Sequence, residues 1–237
     1  MIENDLEAFL DESGTSRCSQ LLTVAACIGA HDQWARFLAD WREPGFHAHK
    51  TDCLKPHLFK AITECGLEGF AISIRAQDYD RYASHQSRSV LGNAYAVATF
   101  SCVDQVCRWS RGQNRKVMFS IESGQPNADW VERVVNNMAL DHQWQDQIAG
   151  VSLVRKSHCF QLHAADFLAN ARSAGDEWWE RFWKTGKFGR LEISGEIFKS
   201  LSDDVRRLAA EGRARRTRLR RDAAREKPLG SHGPDSS

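Results

Sequence analysis

Residues 160–172, Phe-Gln-Leu-His-Ala-Ala-Asp-Phe-Leu-Ala-Asn-Ala-Arg, constrain this chain more than any other segment. At about 100° per residue, Phe160, Leu162, Ala164, Ala165, Phe167, Leu168, Ala169 and Ala171 cover nearly the whole circumference of a helix. A helix apolar nearly all round belongs inside a protein, so it needs neighbours on most sides. Its polar stripe is narrow: His163, Asp166 and Asn170, with Gln161 projecting elsewhere. A carboxylate in that setting must be paired, hydrogen-bonded or metal-bound. The alanines at 164, 165 and 169 let the backbone lie close to a sheet, which brings Asp166 toward the strand ends.

Several segments supply such a sheet. Residues 20–29, QLLTVAACIG, form a near-continuous apolar run suited to a buried central strand. Residues 5–11 read as a strand entering a turn at Ser13–Gly14, and residues 69–74, 116–121 and 150–154 read as further strands. Between them the pattern predicts helices over 31–41, 53–65, 87–111 and 127–141, the last opened by Asn127 as an N-cap. In 87–111, Val90, Ala94, Val97, Ala98, Cys102 and Val106 make an apolar stripe. Gly92 falls inside it, at a cost of about 1 kcal/mol relative to Ala. Early strands followed by alternating helices and strands predict an α/β fold, a mixed sheet covered by helices. The expected organisation is a domain over 1–175, an aromatic helical extension over 176–205 packed on it, and a basic arm with a disordered tail over 206–237.

The extension carries Trp178, Trp179, Phe182 and Trp183 within six positions, with Arg181, Lys184 and Lys187 beside them. It either closes one side of the core or offers a stacking surface for bases. The arm is more strongly biased. Residues 206–227 hold ten arginines and lysines against three acids, while the whole chain carries a net charge of +1, so the remainder is net acidic. Arg213, Arg215, Arg216, Arg218, Arg220 and Arg221 are therefore candidates for contact with nucleic acid; the alternative is a solvated helical extension. A chain of 237 residues with no run of about 18 apolar positions predicts no membrane span. An acidic N-terminus without a secretory pattern, and seven cysteines with no C-x-x-C pair, point to a cytoplasmic protein with free thiols.

Three acids stand where acids are costly. Asp11 follows Phe9 and Leu10 at a strand end, Glu122 ends the strand KVMFSI, and Asp166 sits on the buried helix. Carboxylates from two strand ends and one helix are what a phosphodiester-processing site needs to hold Mg²⁺ or Mn²⁺. Asp11 and Glu12 could equally be turn residues, and Asp166 could pair with an arginine or cap a loop. Ser13, Cys53 and Cys159 have no base assignable from the sequence, and no phosphate-binding glycine signature occurs.

The same segments resemble the family named domain of unknown function 3800. Phe9-Leu10-Asp11-Glu12-Ser13-Gly14 is similar to its opening strand, Phe119-Ser120-Ile121-Glu122-Ser123-Gly124 to its central strand ending in an acid, and Gln161 through Ala169 to its Ala-Asp helix. The resemblance spans roughly residues 5–173 and implies a ribonuclease H-like fold, with Asp11, Glu122 and Asp166 gathered around metal and Glu12 as a spare ligand. A further block, Phe46 to Asp52, resembles a histidine block ending in Thr-Asp in some members. Its His47, His49 and Asp52 suit a transition metal or form a surface loop. With His163 and Asn170, these are accessory candidates; His49 or His163 would orient substrate or shuttle protons. The expected function is a metal-dependent nuclease or related phosphodiester-processing enzyme. The alternative is a non-catalytic nucleic-acid-binding or interaction protein that keeps the fold.

Overall fold

The computed structural model describes residues 5–204 except 15–19, 44, 86–87, 90–91, 125–127 and 142, together with 206–207 and 210. The strands are β1 (Leu6–Ser13), β2 (Leu21–Ala30), β3 (Glu68–Arg75), β4 (Val117–Glu122), β5 (Ile148–Val154) and β6 (Phe188–Ile193). The helices are α1 (His31–Asp40), α2 (Lys55–Glu64), α3 (Ala76–Tyr82), α4 (Ala94–Gln113), α5 (Ala128–Met138), α6 (Leu162–Ala174) and α7 (Glu177–Lys184), with residues 195–204 also helical.

The strands form one sheet in the order β5-β4-β1-β2-β3-β6. β2 runs antiparallel to β1 and β3, while β1–β4, β4–β5 and β3–β6 are parallel pairs. This is a mixed six-stranded sheet flanked by helices. The apolar character of β2 follows from its place. Leu22, Val24, Ala26 and Ile28 enter one core, and Ala25 and Cys27 enter the other. A strand covered on both faces has no polar side to present.

α4 crosses β2 and β3 on one face, with α5 over β5. α6 crosses β1 and β2 on the opposite face and touches α2 and α7. The near-total burial of α6 is thus explained by a sheet below it and helices beside it. Phe167 and Leu168 are fully buried there, each contributing roughly 1.5–3 kcal/mol. The helix stops at Gly175, in the left-handed region at φ 63°.

Two sequence expectations need correction. Residues 176–205 are not helical throughout: α7 leads into β6, which adds a parallel edge to β3 before the final helix. In α7, Trp179 and Phe182 are buried, and Phe182 packs on Phe59, Phe167 and Phe188, so these two close the core. Trp183 is 44% exposed, with the Arg190 guanidinium over its ring. Helix α4 begins at Ala94, not at 87. Gly92 lies outside it at φ 78°, and the Asn93 side chain caps it by accepting from Ala96 N–H at 2.9 Å. Helix α3 answers to no sequence expectation. The Asn127 cap and the arginines from Arg213 to Arg221 lie outside the described residues. Among the described residues, no helix is long and apolar enough to cross a membrane.

Candidate metal centre

The parallel pairing of β1 with β4 brings Leu10 opposite Ile121, so Asp11 and Glu122 emerge side by side at one end of the sheet. Side chains alternate across a strand. Phe9 belongs to the core under α6 and Leu10 to the core under α4, which sends Asp11 toward α6. β1 is followed by Gly14, whose φ of 82° and whose approach to the Leu21 carbonyl leave no room for a Cβ. That turn holds the Asp-Glu pair at the mouth of a cleft.

The cleft has a volume of about 620 Å³ and is bordered by Asp11, Glu12, Glu122, Asp166, Lys156 and Asn170, with His47 and His49 also on its wall. Asp11, Glu12 and Glu122 each place a carboxylate oxygen within 4.8 Å of the other two. Asp11 Oδ1 accepts from Glu12 N–H at 2.8 Å, and Glu122 Oε2 accepts from Gly124 N–H at 2.7 Å. Glu12 is buried, and its Oε2 has no hydrogen-bond partner. Asp166 stands slightly apart from the three. Its Oδ2 accepts from Ala48 N–H at 3.0 Å and faces Lys156 Nζ at 3.4 Å. The same ammonium lies 2.5 Å from Asp11 Oδ2.

The electrostatics are those of crowded, buried acids. Burial, followed by repulsion from Asp11 and Glu122, pushes the Glu12 carboxyl up to about 9. Burial also raises Asp11, to about 7; Lys156 opposes the rise and Asp166 adds to it. For Lys156, burial favours the neutral amine, but Asp11 and Asp166 outweigh it and hold the pKa above the ordinary lysine value. His47 is lowered by burial and by Lys156.

No protein-family model matches this sequence, and no curated protein matches it. Solved structures do. The chain is similar to ribonuclease HII from Archaeoglobus fulgidus, in a complex with PCNA, at 14% identity over 77% of this chain and 78% of that one, with a TM-score of 0.47. It is similar to ribonuclease H2 from Pyrococcus horikoshii OT3 at 12% identity over 85% and 99% of the two chains, with a TM-score of 0.46. A third, Bst ribonuclease HIII in complex with Mn²⁺, shares 14% identity over 88% and 71%, with a TM-score of 0.41.

Of the residues singled out in the sequence, Asp11, Glu12, Glu122, Asp166, Asn170, His47 and His49 all border one cleft. Within it, Glu12 rather than Asp166 completes the tight carboxylate group. Two accessory candidates do not join them. Asp52 is exposed and pairs with Lys55 at 2.7 Å, one helical turn on. His163 turns away into the core, where its Nδ1 accepts from Trp41 Nε1–H at 3.1 Å and its ring lies among Trp41, Phe46 and Phe160. Burial, then Lys156, lowers it to about 4, so it is a neutral core histidine.

Lys156 is the residue that sequence pattern missed. It stands on the short turn Lys156–His158 directly after β5, and in the sequence it is one of several basic residues bounding a strand. Its place at the end of a strand parallel to β4 was the available signal.

Proposed function

We propose that this chain is a divalent-metal-dependent phosphodiesterase acting on nucleic acid, with Asp11, Glu12 and Glu122 as the ligands of Mg²⁺ or Mn²⁺. The observation that carries this is the three carboxylates within 4.8 Å of one another at the strand ends, with Glu12 Oε2 buried and unpartnered. Such an oxygen is costly unless something binds it. An all-oxygen donor set suits Mg²⁺ or Mn²⁺ rather than a softer metal. Bound there, the ion would lower the pKa of a water and offset charge on the phosphate.

The chain's own groups divide the remaining work. Gly124 N–H holds Glu122 in place. Asp166, fixed by Ala48 N–H, holds Lys156 over the cleft. His47 and His49 line the same cleft and are the groups proposed to take a proton from an incoming water. Asn170 offers an amide to the substrate backbone, and the arginines of the arm supply non-specific phosphate contacts. Membership of the domain of unknown function 3800 family is part of the proposal, supported by the three resembling blocks that carry Asp11, Glu122 and Asp166. A cytoplasmic location is supported by the buried free thiols of Cys27, Cys65, Cys102 and Cys107.

The test is cleavage of end-labelled single-stranded DNA, single-stranded RNA, duplex DNA and a DNA–RNA hybrid, with Mg²⁺, Mn²⁺ or EDTA. Metal-dependent cleavage of at least one substrate, lost in Asp11→Asn, is expected. Tight binding without cleavage of any substrate would leave a binding protein that keeps the fold.

A further inference from the structure

Lys156 sits where acids alone would be expected. Its stem comes off the turn after β5, and its ammonium faces Asp11 Oδ2 at 2.5 Å and Asp166 Oδ2 at 3.4 Å, with only 18% of the side chain exposed. The four acids of the cleft thus fall into two sets sharing Asp11. One is Asp11, Glu12 and Glu122, mutually close and holding an unpartnered oxygen. The other is Asp11 and Asp166, already bridged by a cation. Sites that hydrolyse phosphodiesters with two metal ions use one on the attacking side and one on the leaving side. Here the second place is filled by a covalently attached charge. We propose that the Lys156 ammonium stands in for a second divalent ion, so that the cleft takes one metal ion and supplies the other positive charge itself.

Three features support this beyond proximity. Asp166 does not join the mutually close carboxylates, so it is not drawn on to hold the single ion. The oxygen that faces Lys156, Oδ2, also accepts from Ala48 N–H, which orients it toward the ammonium. Lys156 also borders the open cleft and a second surface hollow with Glu122, Ser123, Gly124 and Arg155, so a phosphate in the cleft could reach the ammonium. A compact ammonium is a strong phosphate partner even without bidentate geometry.

The inference rests on the metal-site reading, and counting ions separates the two. Mn²⁺ titrations of the full chain, with free ion followed by electron paramagnetic resonance, should give one bound ion per chain. Lys156→Met keeps the stem and removes the charge, opening the place between Asp11 and Asp166; two ions are expected. Asp166→Asn should keep the single ion, with affinity reduced by less than about tenfold, the lower end of what lost outer-shell partners cost. Two ions in the wild type, one ion in a folded Lys156→Met, or a larger loss in Asp166→Asn would overturn the proposal. If Lys156→Met does not fold, the wild-type count and Asp166→Asn decide. No Mn²⁺ bound by the wild type would instead remove the metal site, and this proposal with it.

Discussion

Asp11 and Lys156 meet at 2.5 Å with the carboxylate side chain 1% exposed. The pair holds the site together, yet Asp11 also belongs to the three-carboxylate group that the metal proposal requires. Asp11→Asn should therefore remove Mn²⁺ binding rather than merely weaken the fold. In the wild type, saturating Mn²⁺ at 100 times Kd should stabilise by about 2.7 kcal/mol. The variant's melting temperature should not respond to Mn²⁺, and cleavage should vanish. A variant that keeps the full metal-induced shift would rule Asp11 out as a ligand.

Glu12→Gln should make the metal-free protein more stable while removing metal binding. Glutamine keeps the size of the side chain and has no charge to strip of water. With the Glu12 carboxyl pushed up to about 9 by burial and by its acidic neighbours, the wild type gives up stability at neutral pH. The expected gain is about 1–3 kcal/mol, seen as a rise of roughly 2–4 °C per kcal/mol for a domain of this size. Melting without and with Mn²⁺ measures both effects at once. A drop in the metal-free melting temperature would show that Glu12 has a structural partner.

Both carboxyls set the pH dependence, with a definite sign. Asp11 at about 7 and Glu12 at about 9 keep protons in the folded chain that the unfolded chain has already released. Their contribution to stability is greatest below the ordinary carboxylate range and is lost as pH rises from there toward about 9. Metal must displace those protons, so Mn²⁺ affinity should climb from pH 6 to 9 with proton release. Calorimetry in buffers of different ionisation enthalpy counts the protons. Affinity that is flat over this range would mean the acids are already ionised.

His163 should matter to folding and not to catalysis. It is neutral, lowered to about 4 chiefly by burial, and its Nδ1 serves the Trp41 indole. A depressed histidine contributes stability above its unfolded pKa of about 6.5 that is lost as pH falls through the folded value. Acid melts of His163→Gln, which retains an acceptor for Trp41 but cannot charge, should show a shallower decline between pH 6.5 and 4. Cleavage per folded molecule should stay at the wild-type level. A selective loss of turnover would return His163 to the site.

The arm can be tested without structural detail. Deleting everything after Leu208 removes Arg213, Arg215, Arg216, Arg218, Arg220 and Arg221. If they contact phosphates, affinity for nucleic acid should fall and its salt dependence flatten, by a slope of about 0.7–0.9 per lost contact. Stability should hardly change, since little apolar surface leaves with the arm. Equal binding by the full and truncated chains across a salt series would make the arm a solvated extension.

The run of β1 into the Ser13–Gly14 turn, the double-sided apolar character of β2 and the narrow polar stripe of α6 are local properties, so they are legible along the chain. They were enough to place Asp11, Glu122 and Asp166 near one end of a mixed sheet. Period alone could not separate His163 from Asp166 on the same stripe. Three residues turn a helix by about 300°, and the 60° left over is the difference between facing Trp41 and facing the cleft. Strand β6 was hidden because FGRLEI is a short edge with one glycine and two charges, and only its parallel pairing with β3 defines it. The closeness of Glu12 to Asp11 and Glu122, and the insertion of Lys156 between Asp11 and Asp166, depend on the registers of β1, β4 and β5 and on the turn after β5. What the residues by themselves determined was which side chains had to be buried at a cost. Which charge meets which was decided by tertiary structure, because Coulomb interactions depend on distances that only the assembled sheet sets.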